Sequence, residues 1–397
     1  MVIEIKKGRA EGEIKAPPAK SFVHRQFICA ALSDGISAVR NICQSEDIMA
    51  TSDCARSLGA DVKIENDTAY ITPSNDIKSE LYCRQSGSTM RFFIPVCLSY
   101  GKEFTLYGEP GLLKRPFDVY RELCEKQNLY FEQTEKFIRV KGRLDTSDIT
   151  VSGATSSQFI TGLLLAAPLY GGDSVIRIAP PFVSRPYVDI TLSVMSDFGI
   201  KAVWQDEYTL YIKGGQKYKA TDCTAEGDWS GAAFLYGLNA LGAGVTVTGL
   251  NENSLQGDRV ILKQYEELKK GHADIDIADC PDNAPALMAV AAAHNGCTLY
   301  GASRLKIKES DRGAAMAKEL SKFGVDVTVK DDTIEVGYGI KKPSEAIDGH
   351  NDHRIVMAAA LLLTLTGGRI DGAEAVGKSY PGFFRDLSLL GIKIKQG

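Results

Sequence analysis

Six stretches of the chain share one arrangement of polar and hydrophobic residues. Each has a polar start, a run rich in Ala and Leu, a break at Gly or Asn-Gly, and a short β-branched segment. The six stretches begin near Ser21, Ser88, Ser157, Ser230, Pro285 and His353. Self-similarity of this kind is typical of a repeat architecture, in which each unit buries its apolar face by stacking on its neighbours.

Each stretch predicts two helices of different character. The first helix is apolar nearly all round, which predicts that protein encloses it. The second is amphipathic and leads into paired strands, as Met316 to Gly324 does before the segment 325–329. Strand, helix, strand, helix and strand pair therefore make one βαβαββ unit, used six times. Because six units exceed what one core usually holds, we expect an α/β fold of two lobes, each with three units and buried parallel helices.

The overall composition is that of an ordinary globular protein. At roughly 150 residues per domain, 397 residues predict two or three domains. No apolar run reaches the roughly 18 residues of a membrane span, and the longest, 355–365, is typical of a buried helix. The N-terminus alternates like a strand and lacks the apolar core of a signal peptide. We therefore expect a cytoplasmic protein without a membrane segment.

Charge and cysteine usage narrow the classes of ligand. The net charge of −4 argues against nucleic-acid binding, for which a basic surface is expected. An anionic ligand would therefore need a local basic cluster. The nine cysteines form no Cys-x-x-Cys pair, and Cys29, Cys97 and Cys297 lie in apolar stretches. This favours reduced thiols that pack as small hydrophobic side chains, and no ligand spacing suggests a metal.

Charged and hydroxyl side chains recur where the apolar helices begin. Lys20, Ser21 and Arg25 open the first helix, and Arg25 lies on the same face as Ser21. Because cations at a helix N-terminus oppose the helix dipole, a phosphate or carboxylate socket is favoured over an exposed basic turn. Similar clusters stand at 86–91, 114–116, 155–158, 184–187, 281–282, 308–312, 351–354 and 378. For any single cluster, helix capping or a solvated face remains an alternative.

Ten motifs at these and neighbouring positions occur in the order known from one enzyme family. They are Lys-Ser-x-x-x-Arg, Ser-Gly-Ser-Thr-Met-Arg, Lys-Arg-Pro, Ser-Ser-Gln-Phe, Ser-Arg-Pro-Tyr-Val-Asp-Ile-Thr, Glu-Gly-Asp-Trp-Ser, Ser-Leu-Gln-Gly-Asp, Lys-Glu-Ser-Asp-Arg, Asn-Asp-His-Arg and Gly-Lys-Ser-Tyr-Pro. With them the chain resembles the 3-phosphoshikimate 1-carboxyvinyltransferase (EPSP synthase) family over essentially its whole length. The resemblance implies the two-lobed enolpyruvyl transferase fold, whose lobes close on the substrates. It also implies a discontinuous lobe, 1–18 plus 225–397, and an inserted lobe, 19–224.

The resemblance further implies which residues hold the substrates. Shikimate 3-phosphate would contact Lys20, Ser21, Arg25, Ser156, Ser157, Gln158, Ser184, Tyr187, Asp282 and Lys308. Phosphoenolpyruvate would contact Lys20, Gly87, Arg115, Gln158, Arg312, Arg354 and Lys378. The inserted lobe would carry most shikimate 3-phosphate contacts, and the phosphoenolpyruvate-side residues of the discontinuous lobe would be Asp282, Glu309, Arg312, Arg354 and Lys378. The chain departs from the family at Pro18-Ala19, where Pro-Gly-Ser is usual, and at Arg304, which is often Asn.

The implied reaction moves the enolpyruvyl group of phosphoenolpyruvate to the 5-hydroxyl of shikimate 3-phosphate. Phosphate leaves through a tetrahedral intermediate, and the reaction belongs to aromatic amino acid biosynthesis. It needs an acid for the methylene group, a base for the attacking hydroxyl and cations for the leaving phosphate. Asp282 is the candidate base, whereas Lys20 and Glu309 are both candidates for the methylene proton, and the sequence leaves that choice open. No cofactor or metal is expected.

Two other functions are compatible with the same fold. The related enzyme that transfers enolpyruvyl to UDP-N-acetylglucosamine carries a Cys in the loop matching 108–116, and this loop has none. A non-catalytic anion-binding protein would be favoured by loss of Asp282, Glu309 or Lys20, yet all three are present. The expected partners are therefore the two small-molecule substrates, without nucleic acid or membrane, and the expected state is a monomer.

Overall fold

The computed structural model describes residues 1–397, which divide into two compact units. The first, called here the discontinuous unit, consists of Met1–Pro17 and Gly227–Gly397. The second, called the inserted unit, consists of Pro18–Glu226. Each unit has its own continuous hydrophobic core.

Six buried helices form the interior of the two units. The helices of the chain are α1 (Lys20–Ala31), α2 (Glu46–Ser57), α3 (Gly87–Ser99), α4 (Pro110–Leu113), α5 (Asp118–Lys126), α6 (Ser157–Ala166), α7 (Arg185–Asp197), α8 (Trp229–Ala240), α9 (Ile261–Lys270), α10 (Ala284–Ala293), α11 (Arg312–Lys322), α12 (His353–Thr366) and α13 (Phe383–Leu389). The buried ones are α1, α3 and α6 in the inserted unit and α8, α10 and α12 in the discontinuous unit. Each begins at, or next to, one of the six polar starts of the sequence pattern.

Short strands surround these helices in six sheets. The strands are β1 (Val2–Ile5), β2 (Glu11–Lys15), β3 (Ser37–Arg40), β4 (Asp61–Glu65), β5 (Thr68–Thr72), β6 (Glu80–Tyr82), β7 (Glu103–Tyr107), β8 (Tyr130–Gln133), β9 (Phe137–Lys141), β10 (Ile149–Ser152), β11 (Ser174–Ala179), β12 (Ala202–Trp204), β13 (Thr209–Ile212), β14 (Cys223–Thr224), β15 (Gly244–Thr248), β16 (Ala273–Asp276), β17 (Cys297–Tyr300), β18 (Val327–Val329), β19 (Thr333–Val336), β20 (Ile347–Asp348), β21 (Gly368–Asp371) and β22 (Ile394–Gln396).

The three sheets of the inserted unit have the same design. Their strand orders are β14-β3-β5-β4, β6-β7-β9-β8 and β10-β11-β13-β12. In the last, β10 runs parallel to β11, whereas β13 is antiparallel to both of its neighbours. The antiparallel pair is the hairpin that follows the amphipathic helix of each unit. This repetition agrees with the predicted reuse of one α/β unit.

The discontinuous unit repeats this design twice and shortens it once. The sheets β16-β17-β19-β18 and β20-β21-β1-β22 have the same design as those of the inserted unit, with one parallel pair followed by two antiparallel pairings. In the second of them, β1 comes from the start of the chain. The third sheet contains only β15 and β2, which are parallel. A hairpin is missing because only Gly271 and His272 separate α9 from β16. Five complete units and one shorter unit therefore stand where six complete units were expected.

A side chain replaces the missing strand at the edge of the short sheet. The N–H of Gly244 bonds to Ala10 next to β2, and the backbone of the next residue, Val245, bonds elsewhere. The Asn239 amide donates to the Val245 carbonyl at 2.7 Å and accepts from its N–H at 2.8 Å. Both polar groups of this edge residue are thereby paired, as a buried or half-buried edge requires.

Small residues let the buried helices pack closely. Nine consecutive residues of α10, from Ala284, are buried. At Gly162 of α6, an added Cβ would lie 2.4 Å from the Arg91 carbonyl oxygen of α3, so only glycine allows this approach. Because such helices are apolar on nearly every face, their charged side chains lie within the first two turns.

The structure also bears on the membrane and cysteine predictions. No helix combines the length and the apolar character that crossing a bilayer requires. All nine cysteines are free thiols, and Cys29, Cys97 and Cys297 are buried within the two cores. These three pack as small hydrophobic side chains, as expected from their positions.

Candidate functional site

The inserted unit contains a buried cation that has only neutral partners. Arg25 is 3% exposed, and its guanidinium donates to the hydroxyls of Thr161 and Thr191 and to the carbonyls of Ser21 and Tyr187, at 2.6–3.1 Å. Burial lowers the pKa of Arg25 to about 9, so the group stays protonated at neutral pH. A buried charge without a counter-charge is costly. The arrangement therefore favours binding of an anion.

The start of α1 supports the same conclusion. Ala19 precedes the helix and offers no side-chain cap, and the first turn contains no acidic residue. Uncapped N–H groups at a helix start attract anions. Because residue 19 is Ala, no side chain caps the backbone N–H groups at the start of α1, and these groups can donate to an anion.

Lys20, the first residue of α1, has a carboxylate partner that the sequence analysis missed. Its ammonium lies 2.9 Å from the carboxylate of Asp47, in the first turn of α2, and both side chains are mostly buried. From sequence, Asp47 is only an acid in a helix first turn, where the helix dipole favours one. The tertiary contact gives it a second role, which is to hold Lys20.

A second group of the inserted unit gathers at the start of α3. A Cβ added at Gly87 would lie 2.8 Å from Arg115 Nη1 and 3.1 Å from Arg91 Nη1. Arg91 also donates to the Gln158 side chain at 2.6 Å, and Gln158 donates to Ser88 at 2.9 Å. The Nε of Arg115 is buried and has no hydrogen-bond partner. Gly87, Arg115, Gln158 and Arg91 thus lie together at the start of α3.

Arg91 closes the Ser-Gly-Ser-Thr-Met-Arg motif, but the sequence alone does not assign it to the site. It is 5% exposed and lies about equally far from the rings of Phe117 and Phe159, at 5.1 and 5.0 Å. Cation–π contacts of this kind stabilise a guanidinium at an apolar helix opening. Its spacing of four residues after Gly87 is the one signal in the sequence that placed it near the site.

The remaining predicted residues of the inserted unit occupy helix openings. The Ser156 hydroxyl accepts from the N–H of Gln158 at 3.3 Å and so caps α6, and Ser157 is its buried first residue. Ser184 precedes α7 in a left-handed conformation, with φ 58°. Tyr187 lies in the first turn of α7, where its carbonyl accepts from Arg25. For Ser156, helix capping is therefore an observed structural role.

In the discontinuous unit, several cations converge on one carboxylate. Asp282, just before α10, accepts from Arg312 at 2.8 Å, Arg354 at 3.0 Å and Lys308 at 3.2 Å. Burial lowers the pKa of Lys308, and the nearby Asp282 carboxylate opposes that shift only in part. The sequence placed these four residues at three separate helix openings, and the fold brings them together.

Arg312 is the most enclosed of these cations, at 1% exposure. Besides Asp282, it donates to Glu309 at 2.5 Å and to Asp352 at 2.9 Å. Burial alone would lower the pKa of Arg312, but the carboxylates of Asp352, Glu309 and Asp282 outweigh it and raise the pKa. Asp352 was missed as a site residue because its evident role is to cap α12, where it accepts from the Arg354 N–H at 2.9 Å.

The other two predicted cations of this unit have neutral partners as well. Arg354 donates to the Ser230 hydroxyl at 2.6 Å, and its Nε is buried without a partner. Lys378 donates to the Asn351 carbonyl at 2.5 Å. Arg304, the departure from the family noted above, donates to the Ala278 carbonyl. The unpaired Nε of Arg354 leaves one donor of this cluster for an anionic ligand.

A buried histidine lies next to Arg25 in the inserted unit. His24, the neighbour of Arg25 in α1, is 1% exposed, and its Nδ1 lies 2.6 Å from the Thr51 hydroxyl. Burial lowers the pKa of His24 to about 3; Asp47 opposes this shift, whereas Lys20 and Arg25 add to it. The ring is therefore neutral at physiological pH.

We expect His24 to make the protein acid-sensitive. Between pH 6.5 and about 3 the unfolded chain binds a proton at His24 that the folded chain does not. The free energy of unfolding therefore has its full value above pH 6.5 and falls as the pH drops below it. At pH 5 the expected loss is about 2 kcal/mol. Urea unfolding at pH 7.5 and 5 should show a smaller loss for His24→Asn than for the wild type. The exposed His272→Asn serves as control, and equal losses in all three proteins would contradict the assignment.

Comparison with known proteins identifies the family. The profile described as EPSP synthase (3-phosphoshikimate 1-carboxyvinyltransferase) matches residues 5–387. A 3-phosphoshikimate 1-carboxyvinyltransferase of Clostridium kluyveri is 38% identical, covering 99% of this chain and 98% of the relative. The protein of the same name from Clostridioides difficile is 35% identical, covering 99% and 98%.

Solved structures confirm the predicted fold. An EPSP synthase from Acinetobacter baumannii covers 100% of both chains with a TM-score of 0.77 at 24% identity. The enolpyruvyl transferase NikO from Streptomyces tendae covers 99% of this chain and 98% of its own, with a TM-score of 0.76 at 15% identity. These likenesses concern the fold, whereas the full-length sequence matches concern the family. The chain belongs to the EPSP synthase (3-phosphoshikimate 1-carboxyvinyltransferase) family.

Proposed function

We propose that this chain carries out the reaction for which its family is named. It transfers the enolpyruvyl group of phosphoenolpyruvate to the 5-hydroxyl of shikimate 3-phosphate and releases phosphate, in aromatic amino acid biosynthesis. The observation that carries this conclusion is the 38% identity to a 3-phosphoshikimate 1-carboxyvinyltransferase over 99% of the chain. We further propose that it acts as a monomer in the cytoplasm.

The proposed shikimate 3-phosphate contacts lie mainly in the inserted unit. Its phosphate would supply the counter-charge that Arg25 lacks, and a charge-assisted bond of this kind is strong. The full proposed set is Lys20, Ser21, Arg25, Ser156, Ser157, Gln158, Ser184 and Tyr187, with Asp282 and Lys308 from the discontinuous unit. Hydroxyls at helix starts would bind the sugar-like hydroxyls of the ligand, because they can both donate and accept.

The proposed phosphoenolpyruvate contacts are mostly cations. They are Lys20, Gly87, Arg115, Gln158, Arg312, Arg354 and Lys378. The partnerless Nε atoms of Arg115 and Arg354 support this assignment, because a carboxylate or phosphate oxygen would pair with them. Cations fixed before the reaction stabilise the charge that builds on the departing phosphate.

The ion pairs also favour particular proton-transfer roles. We assign Asp282 as the base for the 5-hydroxyl. Its three cationic partners favour the carboxylate form, which is the form a base needs, although they also weaken its affinity for a proton. Asp47 stabilises the ammonium form of Lys20, and Arg312 stabilises the carboxylate form of Glu309. Of the two candidates left open by the sequence, Lys20 is therefore the one whose ion pair favours the protonated form, and we assign it as the proton donor to the methylene group.

Phosphate release tests the acceptor and the proposed base together. Purified protein is incubated with phosphoenolpyruvate and one acceptor: shikimate 3-phosphate, shikimate or UDP-N-acetylglucosamine. We expect release with shikimate 3-phosphate only, and a fall in kcat of about 100-fold or more in Asp282→Asn. Asp279→Asn, an exposed carboxylate three residues away, is the matched control with wild-type activity.

Three outcomes would contradict the proposal in different ways. Release with UDP-N-acetylglucosamine alone would mean that the acceptor is wrong. Tight binding of both substrates without release would favour a non-catalytic anion-binding protein. Full activity in Asp282→Asn would mean that the base lies elsewhere while the reaction stands.

Gly87→Ala tests the phosphoenolpyruvate contacts. The added Cβ lies within 3.1 Å of two guanidinium tips, Arg115 Nη1 and Arg91 Nη1, which must move to make room. We expect KM for phosphoenolpyruvate to rise about tenfold, or about 1.4 kcal/mol, with little change in thermal stability because flexible side-chain ends yield. Gly111→Ala is the control, since no atom lies within 4 Å of its added Cβ. An unchanged KM in Gly87→Ala would contradict the assignment.

A further inference from the structure

The segment before α12 holds an unusual backbone conformation. His350 and Asn351, between β20 and α12, are consecutive left-handed residues with φ 49° and 50°. Residues with a side chain adopt this conformation far less often than glycine does, and it costs free energy unless the surroundings impose it. Two in succession therefore require contacts that hold the turn in place.

A buried carboxylate that the proposed mechanism does not use supplies those contacts. Glu319, in α11, is 3% exposed, and its Oε1 lies 2.8 Å from His350 Nε2. Its Oε2 accepts from the Asp348 N–H at 2.9 Å and from Lys322 at 2.8 Å. Asp348 in turn accepts from the His350 N–H at 2.8 Å. Glu319 thus fixes both the side chain of the first left-handed residue and the strand before it.

Two groups at the end of the turn accept hydrogen bonds from cations that we propose to bind phosphoenolpyruvate. The carbonyl of Asn351 accepts from Lys378 at 2.5 Å. The next residue, Asp352, accepts from Arg312 at 2.9 Å and from Ser310 at 3.0 Å. Any change of φ at the turn would rotate this carbonyl and displace this carboxylate, and with them both cations.

We propose that Glu319 and His350 are positioning residues for phosphoenolpyruvate binding. They are not among the proposed substrate contacts, and they act by fixing the turn that orients Lys378 and Arg312. The inference rests on the proposed assignment of those two cations to phosphoenolpyruvate. Outer contacts of this type orient the groups that bind a ligand, and their loss weakens binding while the ligating groups remain.

The test compares the two side chains that share Glu319. His350→Ala removes the contact to the turn, and Lys322→Met removes a cation from the same carboxylate but leaves the turn contact intact. We expect KM for phosphoenolpyruvate to rise about tenfold in His350→Ala, while KM for shikimate 3-phosphate stays near the wild-type value. Lys322→Met should lose thermal stability without this change in KM. His350→Gln, which keeps a donor, should recover much of the affinity.

A second pair of variants separates the possible failures. Lys378→Met should itself raise KM for phosphoenolpyruvate, and an unchanged KM there would overturn the proposed cation assignment. A raised KM in Lys378→Met with an unchanged KM in His350→Ala would overturn the positioning role. If His350→Ala does not fold, Glu319→Gln keeps the volume of the side chain and removes one acceptor. An equal rise in KM in Lys322→Met and His350→Ala would mean that Glu319 only stabilises the unit.

Discussion

The compensation of charge at the openings of buried helices governs this structure. An inner helix that is apolar on nearly every face can carry charge only near its start, and a cation in the first turn opposes the helix dipole. The two units meet this constraint differently. Arg25 is surrounded by neutral acceptors alone, whereas Arg312 is paired with three carboxylates. The charge of Arg25 has no counter-charge in the protein and favours binding of an anion. The charge of Arg312 is already compensated by carboxylates of the protein.

This contrast has consequences for how the two clusters bind ligands. Four of the five guanidinium N–H groups of Arg25 already donate to neutral acceptors. An anion bound there would add the counter-charge and would use the fifth N–H or replace a neutral acceptor. Binding to Arg312 requires a ligand oxygen to share or replace its contacts with Asp282, Glu309 or Asp352. The orientation of those carboxylates therefore matters, and it is the physical basis for the positioning role that we propose for the buried pair Glu319 and His350.

The local parts of the structure were predictable, and the tertiary pairings were not. Apolar runs with polar starts located all six inner helices, because both signals lie within a few residues. The shortened unit was not predicted, because the repeat pattern led us to expect a hairpin in every unit. Only Gly271 and His272 lie between α9 and β16, which is too few residues for a hairpin. The motifs named most of the cations. Their partners Asp47 and Asp352 were not predicted, because each also has a local role at the start of a helix. Asp47 is 27 residues from Lys20, and Asp352 is 40 residues from Arg312, so the sequence gives no sign of either contact.

Calorimetric titration of shikimate 3-phosphate and of shikimate tests the central claim most directly. In the wild type the phosphate should contribute most of the affinity, because it provides the missing counter-charge of Arg25. Arg25→Gln should weaken shikimate 3-phosphate binding about 100-fold and leave shikimate binding nearly unchanged. Equal losses for both ligands, or none for either, would contradict the claim that the uncompensated guanidinium is an anion site.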